Sequence, residues 1–157
     1  MIYYKYFLKD AVEWGKLVGD FNPIHFYPDD GGHAPIVHGM RVGHDLKSLI
    51  LNKEHSKGDK KCVYDFSIAF KQPLKYDCDY KIIHNKTVNF SSIEGNAEND
   101  ELVTCKFCST EMSTHTDREM NFSGDRVDYI ELQNFFDSYC SIFPSGMLFW
   151  DCFLFYK

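Results

Sequence analysis

Residues 18–51, VGDFNPIHFYPDDGGHAPIVHGMRVGHDLKSLIL, decide the fold and the chemistry that can be read from this chain. The stretch opens with a carboxylate, Asp20, and an imidazole, His25, five residues apart. Between them, Pro23 fixes its own φ and disfavours the α region for Asn22, which predicts a bent loop rather than a helix. A backbone with so little freedom can hold an acid and an imidazole towards one reacting atom.

The second half of the stretch is predicted to be a helix with one buried face. Its apolar positions recur every three or four residues, at Ile36, Met40, Gly43, Leu46, Leu49 and Ile50. His38 and Gly39 stand near the helix start, where backbone N–H groups lack partners and the helix dipole is positive. This end of the helix can receive developing negative charge, so an acid, a base and oxyanion donors lie within one short piece of sequence.

Two short runs carry a resemblance to a known family: residues 19–25, GDFNPIH, and residues 36–40, IVHGM. Together and in this order they resemble the signature of the MaoC-like (R)-specific enoyl-CoA hydratases and dehydratases. The resemblance is most specific over residues 17–41. It implies a hotdog fold of the α+β class, in which a curved antiparallel sheet wraps around a central helix.

The pattern outside the motifs predicts the remaining elements. Alternation of apolar and polar residues predicts strands near residues 62–71, 76–82, 87–93 and 102–109, after a β-prone segment at residues 1–8. Asp10 is predicted to cap a short helix that Gly19 ends, and residues 52–61 are predicted to be a surface connection.

The chain is expected to divide near residue 115. Residues 1–115 are predicted to form the hotdog domain. Residues 116–157 are predicted to be a C-terminal extension, either the start of a second hotdog unit or a segment that closes over the first. Within that extension, residues 128–139 have the pattern of an amphipathic helix, and residues 147–156 are strongly apolar.

The resemblance implies reversible hydration of a trans-2-enoyl thioester to an (R)-3-hydroxyacyl thioester. Asp20 and His25 are expected to hold the water molecule and to act as general base and general acid. The N–H group of Gly39 is expected to stabilise the enolate oxygen. Asn22 and His38 are the nearest candidates for substrate contact, although Asn22 is better suited to capping the loop and His38 to packing or capping.

An acyl thioester also carries phosphates, either on coenzyme A or on the arm of an acyl-carrier protein. Arg41, Lys71 and Lys75 are the candidate cations for these groups. Ordinary solvated charges are an equally good interpretation of the three. The resemblance further implies a homodimer with the site at the subunit interface, and the reaction needs no metal or redox cofactor.

Other interpretations of the same residues stay open. Alone, Gly-Asp-x-Asn-Pro is typical of a surface turn, and the added His25 and IVHGM run favour a catalytic loop. A hotdog thioesterase would need a carboxylate on the central helix, where Asp45 is the only acid. A non-catalytic hotdog module that binds an acyl group or pairs with another chain is the alternative from a different class. A metal site from His33, His38 and His44 is disfavoured because a spacing of six does not align His38 and His44 on one helix face.

Composition narrows the class of protein. The formal charge is −6, from 17 basic and 23 acidic residues, which argues against general nucleic-acid binding. Of the segments 1–51, 52–86 and 87–157, only residues 52–86 have more basic than acidic side chains, and they are the part best suited to an anionic ligand. No apolar run reaches the roughly 18 residues of a membrane span, and the N-terminus lacks the features of a signal peptide. A cytoplasmic protein with reduced thiols is therefore expected.

Overall fold

The computed structural model describes residues 2–55, 62–85, 90–94, 101–111, 129–143, 148–149 and 151–152. These residues form an antiparallel sheet and three α-helices, which confirms the α+β class. In chain order the elements are β1 (Ile2–Lys5), α1 (Leu8–Val18), a 3-10 turn (Pro23–His25), α2 (Gly39–His55), β2 (Cys62–Phe70), β3 (Asp79–Asn85), β4 (Phe90–Glu94), β5 (Glu101–Glu111) and α3 (Tyr129–Ile142).

The sheet has five strands in the order β1-β3-β4-β5-β2, and every neighbouring pair is antiparallel. The period-two pattern predicted for residues 62–71 is confirmed, because β2 pairs with β5 along its whole length and places Phe66 opposite Phe107. Strands β1 and β2 form the two edges. The element order β1, helices, then four strands is the order that the sequence pattern predicted.

Helix α1 differs from its prediction at the start. Asp10 was expected to precede the helix as its cap, but the helix already begins at Leu8. Asp10 caps from inside the first turn instead, since its carboxylate accepts a hydrogen bond of 2.7 Å from the N–H of Phe7. The other end is as predicted: Gly19 adopts a left-handed conformation, with φ of 73°, and closes the helix with a hydrogen bond to Gly15.

Helix α2 begins at Gly39, three residues later than the apolar periodicity suggested. Ile36 and Val37 instead pair with the segment that follows β2. Ile36 forms an antiparallel β-bridge with Lys75, and the N–H of Val37 donates to Leu74 O at 2.8 Å. The C-terminal end runs to His55, so the surface connection predicted for residues 52–61 begins later, and residues 56–61 lie outside the described part.

One face of α2 packs against the sheet to make the main hydrophobic core. Val42, Leu46 and Ile50 are spaced by four residues, and all three are buried in this core. The sheet contributes Tyr80, Ile82, Ile93, Leu102, Val103, Cys105 and Phe107. This places α2 as the central helix on one face of the sheet, and the curvature of the sheet around it stays a prediction.

The described part of the tail packs back onto the first helices. Helix α3 confirms the amphipathic helix predicted at residues 128–139. It forms a second core with α1, in which the buried side chains are Trp14, Leu17, Val18, Phe135, Tyr139, Phe143, Phe149 and Cys152. Of the apolar run 147–156, the structure describes residues 148–149 and 151–152, so the predicted domain division near residue 115 stays a prediction. Among the described helices, none is long and apolar enough to cross a membrane.

Candidate active site

The loop that carries the two candidate catalytic residues is rigid for reasons visible in its hydrogen bonds. Asn22 caps the 3-10 turn, since its side-chain oxygen accepts from the N–H of Ile24 at 3.2 Å, and Pro23 occupies the first position of the turn. Asp20 Oδ1 in turn accepts from the N–H of Asn22 at 3.2 Å. The bent loop is confirmed, and Asn22 has the capping role that was expected of it.

His25 is held in one tautomer and points its free nitrogen towards Asp20. Its Nδ1 donates a hydrogen bond of 2.9 Å to the carbonyl oxygen of Ile36, so the lone pair of Nε2 is left bare. Nε2 lies 3.9 Å from Asp20 Oδ2. This separation is too long for a direct hydrogen bond and suits one water molecule between the two atoms.

His38 also stabilises this loop, through a hydrogen bond from the second motif to the first. Its ring is 2% exposed, its Nε2 donates to the carbonyl oxygen of Asp20 at 3.2 Å, and it stacks on His25 with ring centroids 3.7 Å apart. Burial lowers the pKa of His38, and the neighbouring His25 adds to this effect. Each motif histidine therefore donates to a backbone carbonyl of the other motif, and we call this pair of bonds the histidine clasp.

Gly39 is the first residue of α2, so its N–H group has no acceptor within the helix. It lines a cavity of about 300 Å³ together with His25, Val42, Phe70 and Lys71. The first turn of α2 carries no acidic residue that would offset the positive end of its dipole. The cavity is therefore lined by His25, which carries the free imidazole nitrogen, and by Gly39, which carries the backbone donor predicted for an oxyanion.

Asp20, His25 and His38 also form the one group among the described residues whose ligand atoms all lie within 4.8 Å of one another, as a metal site requires. The two rings are stacked, with planes only 22° apart, so their lone pairs do not converge on a common point. His38 Nε2 is moreover engaged with Asp20 O. The arrangement fits a bound water better than a metal ion.

The three candidate phosphate-binding cations are placed very differently. Lys71 lines the same cavity as His25, although its ammonium group forms an ion pair with Glu101. Lys75 is exposed and follows the cavity residue Leu74 in the sequence. Its backbone N–H donates to the hydroxyl of Tyr80, and the same hydroxyl donates to its carbonyl oxygen.

Arg41 does not line this cavity, and the phosphate-binding role predicted for it stays a prediction. It is 8% exposed, its Nε lies 3.0 Å from Asp45 Oδ2, and its guanidinium group lies over the ring of Phe143. The reason is helical geometry, since two residues turn the helix by about 200° and so carry Arg41 to the side opposite Gly39. Asp45 shares this far side, so the carboxylate that a thioesterase would need does not line the cavity of His25.

Two further contributors to the site were not among the predicted site residues. Phe70, whose place in the alternating row of β2 favours either the core or the lining of an acyl tunnel, is 49% exposed, and its ring faces Gly39. The carbonyl oxygen of Ile36 accepts from His25, and sequence cannot predict such a contact because a backbone acceptor leaves no trace in the residue type. The position of Phe70 at the very end of its strand, directly before the break at residues 72–73, was the available signal.

Comparison with solved structures identifies the fold. The chain is similar to the C-terminally truncated HadBC complex, a 3R-hydroxyacyl-ACP dehydratase from Mycobacterium tuberculosis, with a TM-score of 0.52, 13% identity, and coverage of 69% of this chain and 89% of that one. It is also similar to an (R)-hydratase from A. caviae involved in PHA biosynthesis, with a TM-score of 0.49, 20% identity, and coverage of 71% and 92%. No protein-family model and no curated protein sequence matches the chain.

The likeness to the dehydratase confirms the hotdog fold that the two motifs implied. At 13% identity it shows the fold and not the activity. Any activity of this chain therefore depends on the geometry of the histidine clasp, Asp20 and Gly39.

The buried His38 predicts a pH dependence of stability. Its folded pKa lies below the ordinary value of 6.5, so between these two values the unfolded chain binds more protons than the folded chain. We expect the free energy of unfolding to fall as pH drops below 6.5. In His38→Gln, whose amide can still donate to Asp20 O, the contribution of His38 to this pH dependence should disappear. Urea unfolding between pH 7.5 and 5 measures it. His33→Gln, at an exposed position, is the control, and an unchanged slope in His38→Gln would contradict the assignment.

Proposed function

We propose that this hotdog-fold chain, which carries both motifs of the MaoC-like family, catalyses the reversible hydration of trans-2-enoyl thioesters to (R)-3-hydroxyacyl thioesters. The observation that carries the proposal is the bare Nε2 of His25, which faces Asp20 Oδ2 across a gap of 3.9 Å in the loop beside the cavity that Gly39 lines. The substrate is the thioester of coenzyme A or of an acyl-carrier protein. The activity of the structurally similar HadBC complex, a 3R-hydroxyacyl-ACP dehydratase, agrees with this class.

The geometry supports a proton shuttle in which one histidine serves in both steps. His25 Nε2 takes a proton from the water as its oxygen bonds to C3, and the thioester oxygen gains the negative charge. The imidazolium that forms then gives a proton to C2, which restores the thioester and the free base. Asp20 orients the water and stabilises the imidazolium. Positioned proton transfer of this kind contributes roughly 10²–10⁴-fold.

The clasp makes this chemistry possible because it fixes which nitrogen is free. If Nδ1 of His25 were not committed to Ile36 O, the ring could present either nitrogen, or rotate, and the base would be misplaced for part of the time. The enolate is received by the N–H of Gly39, where the helix dipole adds to the hydrogen bond.

The two catalytic roles predict a large loss of activity in single variants. We expect Asp20→Asn and His25→Ala each to lower kcat/KM by at least about a hundredfold, since each removes a group that orients the water or moves its proton. The decrease in enoyl-thioester absorbance with crotonyl-CoA, a longer enoyl-CoA and an enoyl-carrier protein measures the rate. Asp30→Asn, at an exposed position in the same loop, is the matched control. A folded wild-type protein that turns over none of the three substrates would leave the acyl-binding module as the better interpretation.

The oxyanion role of Gly39 can be tested without changing a side chain that does chemistry. Proline is well tolerated at the first position of a helix, so Gly39→Pro removes the N–H donor with little cost to α2. Gly39→Ala keeps the donor, and its added Cβ would meet Phe70 at an ordinary contact distance of 3.5 Å. We expect kcat of Gly39→Pro to lie about a hundredfold to a thousandfold below that of Gly39→Ala. Equal rates for the two variants would rule out the N–H as the oxyanion donor.

We also propose that two copies of the chain pair at the site. Large apolar side chains are exposed around the loop and the cavity, at Phe21, Ile24, Met40 and Phe70, and a second copy would remove them from water. Light scattering after size exclusion is expected to give about twice the chain mass of 18.4 kDa. Ile24→Glu should shift the protein towards a monomer with lowered activity, whereas Val12→Glu, exposed on α1, should not. A monomer that hydrates enoyl thioesters would contradict the interface site.

A further inference from the structure

A cleft lies between α1 and α3, apart from the candidate active site. It consists of two adjoining cavities of about 490 Å³ each, which share Lys16, Leu17 and Ser138. Among the described residues, none lines both this cleft and the cavity of His25. The proposed chemistry makes no use of the cleft.

The cleft exists because α3 contributes short polar side chains to its wall. Asn134, Ser138 and Ser141 are spaced by four and three residues, so they share one side of the helix. Ser138 Oγ donates to Asn134 O at 2.9 Å, and Ser141 Oγ donates to Ser138 O at 2.6 Å. Both hydroxyl groups therefore bond to their own helix, and the space between the helices stays open.

Arg41 forms part of the cleft wall although the residue is buried. It lines the same cavity as Glu13 and Ser141, and only 8% of its surface is exposed. Its Nε donates to Asp45 Oδ2 at 3.0 Å, but its Nη1 is buried and has no hydrogen-bond partner among the described residues. A buried donor without an acceptor is costly, so an acceptor that reaches Nη1 from the cleft would be bound favourably.

The charges in the cleft favour an anionic group near Arg41. Burial lowers the pKa of Arg41, but the neighbouring carboxylate of Asp45 raises it more, so the guanidinium group keeps its charge. Lys16 lines both cavities, whereas Glu13 lines one of them and Glu131 the other. Positive charge is therefore concentrated where the two cavities meet.

The cavity farther from Arg41 offers room for an apolar body. Leu17, Ile130 and Phe135 line it, and Leu17 and Phe135 are buried members of the second core. From Ile130 to Ile142, the side of the cleft formed by α3 is about 18 Å long at the helical rise of 1.5 Å per residue. A ligand with an anionic group at one end and a short apolar body can occupy both cavities.

We propose that the cleft between α1 and α3 binds a small organic anion, a carboxylate or a phosphate monoester, through Arg41 Nη1 and the ammonium group of Lys16. The apolar body of this ligand lies against Leu17 and Phe135. Arginine suits the position because its Nε stays bonded to Asp45 while Nη1 serves a second acceptor. The site is separate from the catalytic cavity and does not depend on the proposed hydratase activity.

Titration with phenyl phosphate, benzoate and benzyl alcohol tests the anionic character of the ligand. The three probes share an aromatic ring, and only the first two carry an anionic group. Phenyl phosphate or benzoate should bind in calorimetry and shift the NMR signal of the Arg41 Nε–H group, whereas benzyl alcohol should do neither. The tighter of the two anions identifies the preferred anionic group. Equal binding of all three probes, or binding of none, would overturn the proposal.

Substitutions at Ser138 give a matched pair that leaves Arg41 and Asp45 intact. Ser138 lines both cavities, so Ser138→Leu fills the cleft where they meet and should weaken the tighter anion at least about tenfold. Ser138→Ala removes only the hydroxyl group and should bind within about twofold of the wild type. Leucine and alanine both favour a helix, so α3 is preserved in each variant. Equal affinities of the two variants would exclude the cleft as the binding site.

Charge variants test the residues that hold the anion. Arg41→Lys keeps a positive charge beside Asp45 but removes Nη1, and should weaken binding at least about tenfold. Glu13→Gln removes an acidic group from the cleft wall and should strengthen binding. Lys9→Ala, at an exposed position on the same helix, is the control and should not change the affinity. Unchanged affinity in Arg41→Lys would contradict the assignment of Arg41.

Competition with coenzyme A separates this site from the candidate active site. The tighter anion should bind equally well with and without coenzyme A, because the cleft and the cavity of His25 share no lining residue among those described. Displacement by coenzyme A would assign Arg41 to the phosphates of the substrate and overturn a separate site. A protein that binds the anion in the cleft but hydrates no enoyl thioester would confirm the anion site and overturn the proposed function.

Discussion

The hydrogen bond from His25 Nδ1 to the carbonyl oxygen of Ile36 is the constraint on which the site depends. It joins the loop after α1 to the segment before α2, and it also fixes the tautomer of the His25 imidazole. The return bond from His38 to Asp20 O makes the connection reciprocal. The two hydrogen bonds thus join the two motifs into one rigid unit. The stacking of His25 on His38 opposes rotation of either ring, which would move His25 Nε2 away from Asp20.

The clasp also explains where the central helix begins. Residues 36–37 supply a carbonyl to His25 and a bridge to residues 74–75, so they must stay extended. The helix can start only after them, at Gly39, and this start leaves the N–H of a residue that lines the cavity with His25 without an acceptor in the helix. A helix that began at Ile36, as its periodicity suggested, would bury that N–H inside a helical turn. The later start is therefore a condition of the proposed chemistry.

Sequence reasoning succeeded where a local rule decides the structure. Pro23 and Asn22 dictated the loop, Gly19 dictated the end of α1, and the alternation of residues 62–70 dictated β2. It failed where a residue distant in the sequence determines the local conformation. Apolar periodicity does not report a terminus, so Ile36 was placed in the helix although Lys75 holds it in an extended bridge. The motif did not tell which side of α2 Arg41 occupies, because that depends on the exact start of the helix.

The tail gives the central helix a second set of neighbours, and this matters for the site. Opposite the face that packs on the sheet, His44 lies within 3.1 Å of the hydroxyl of Tyr139, and Arg41 lies over Phe143. Lys47 is bound one turn further along by Asp151. A helix held on both faces cannot shift along its axis without breaking polar contacts that burial has made costly to lose. The C-terminal segment therefore holds in place the helix whose first N–H is the proposed oxyanion donor.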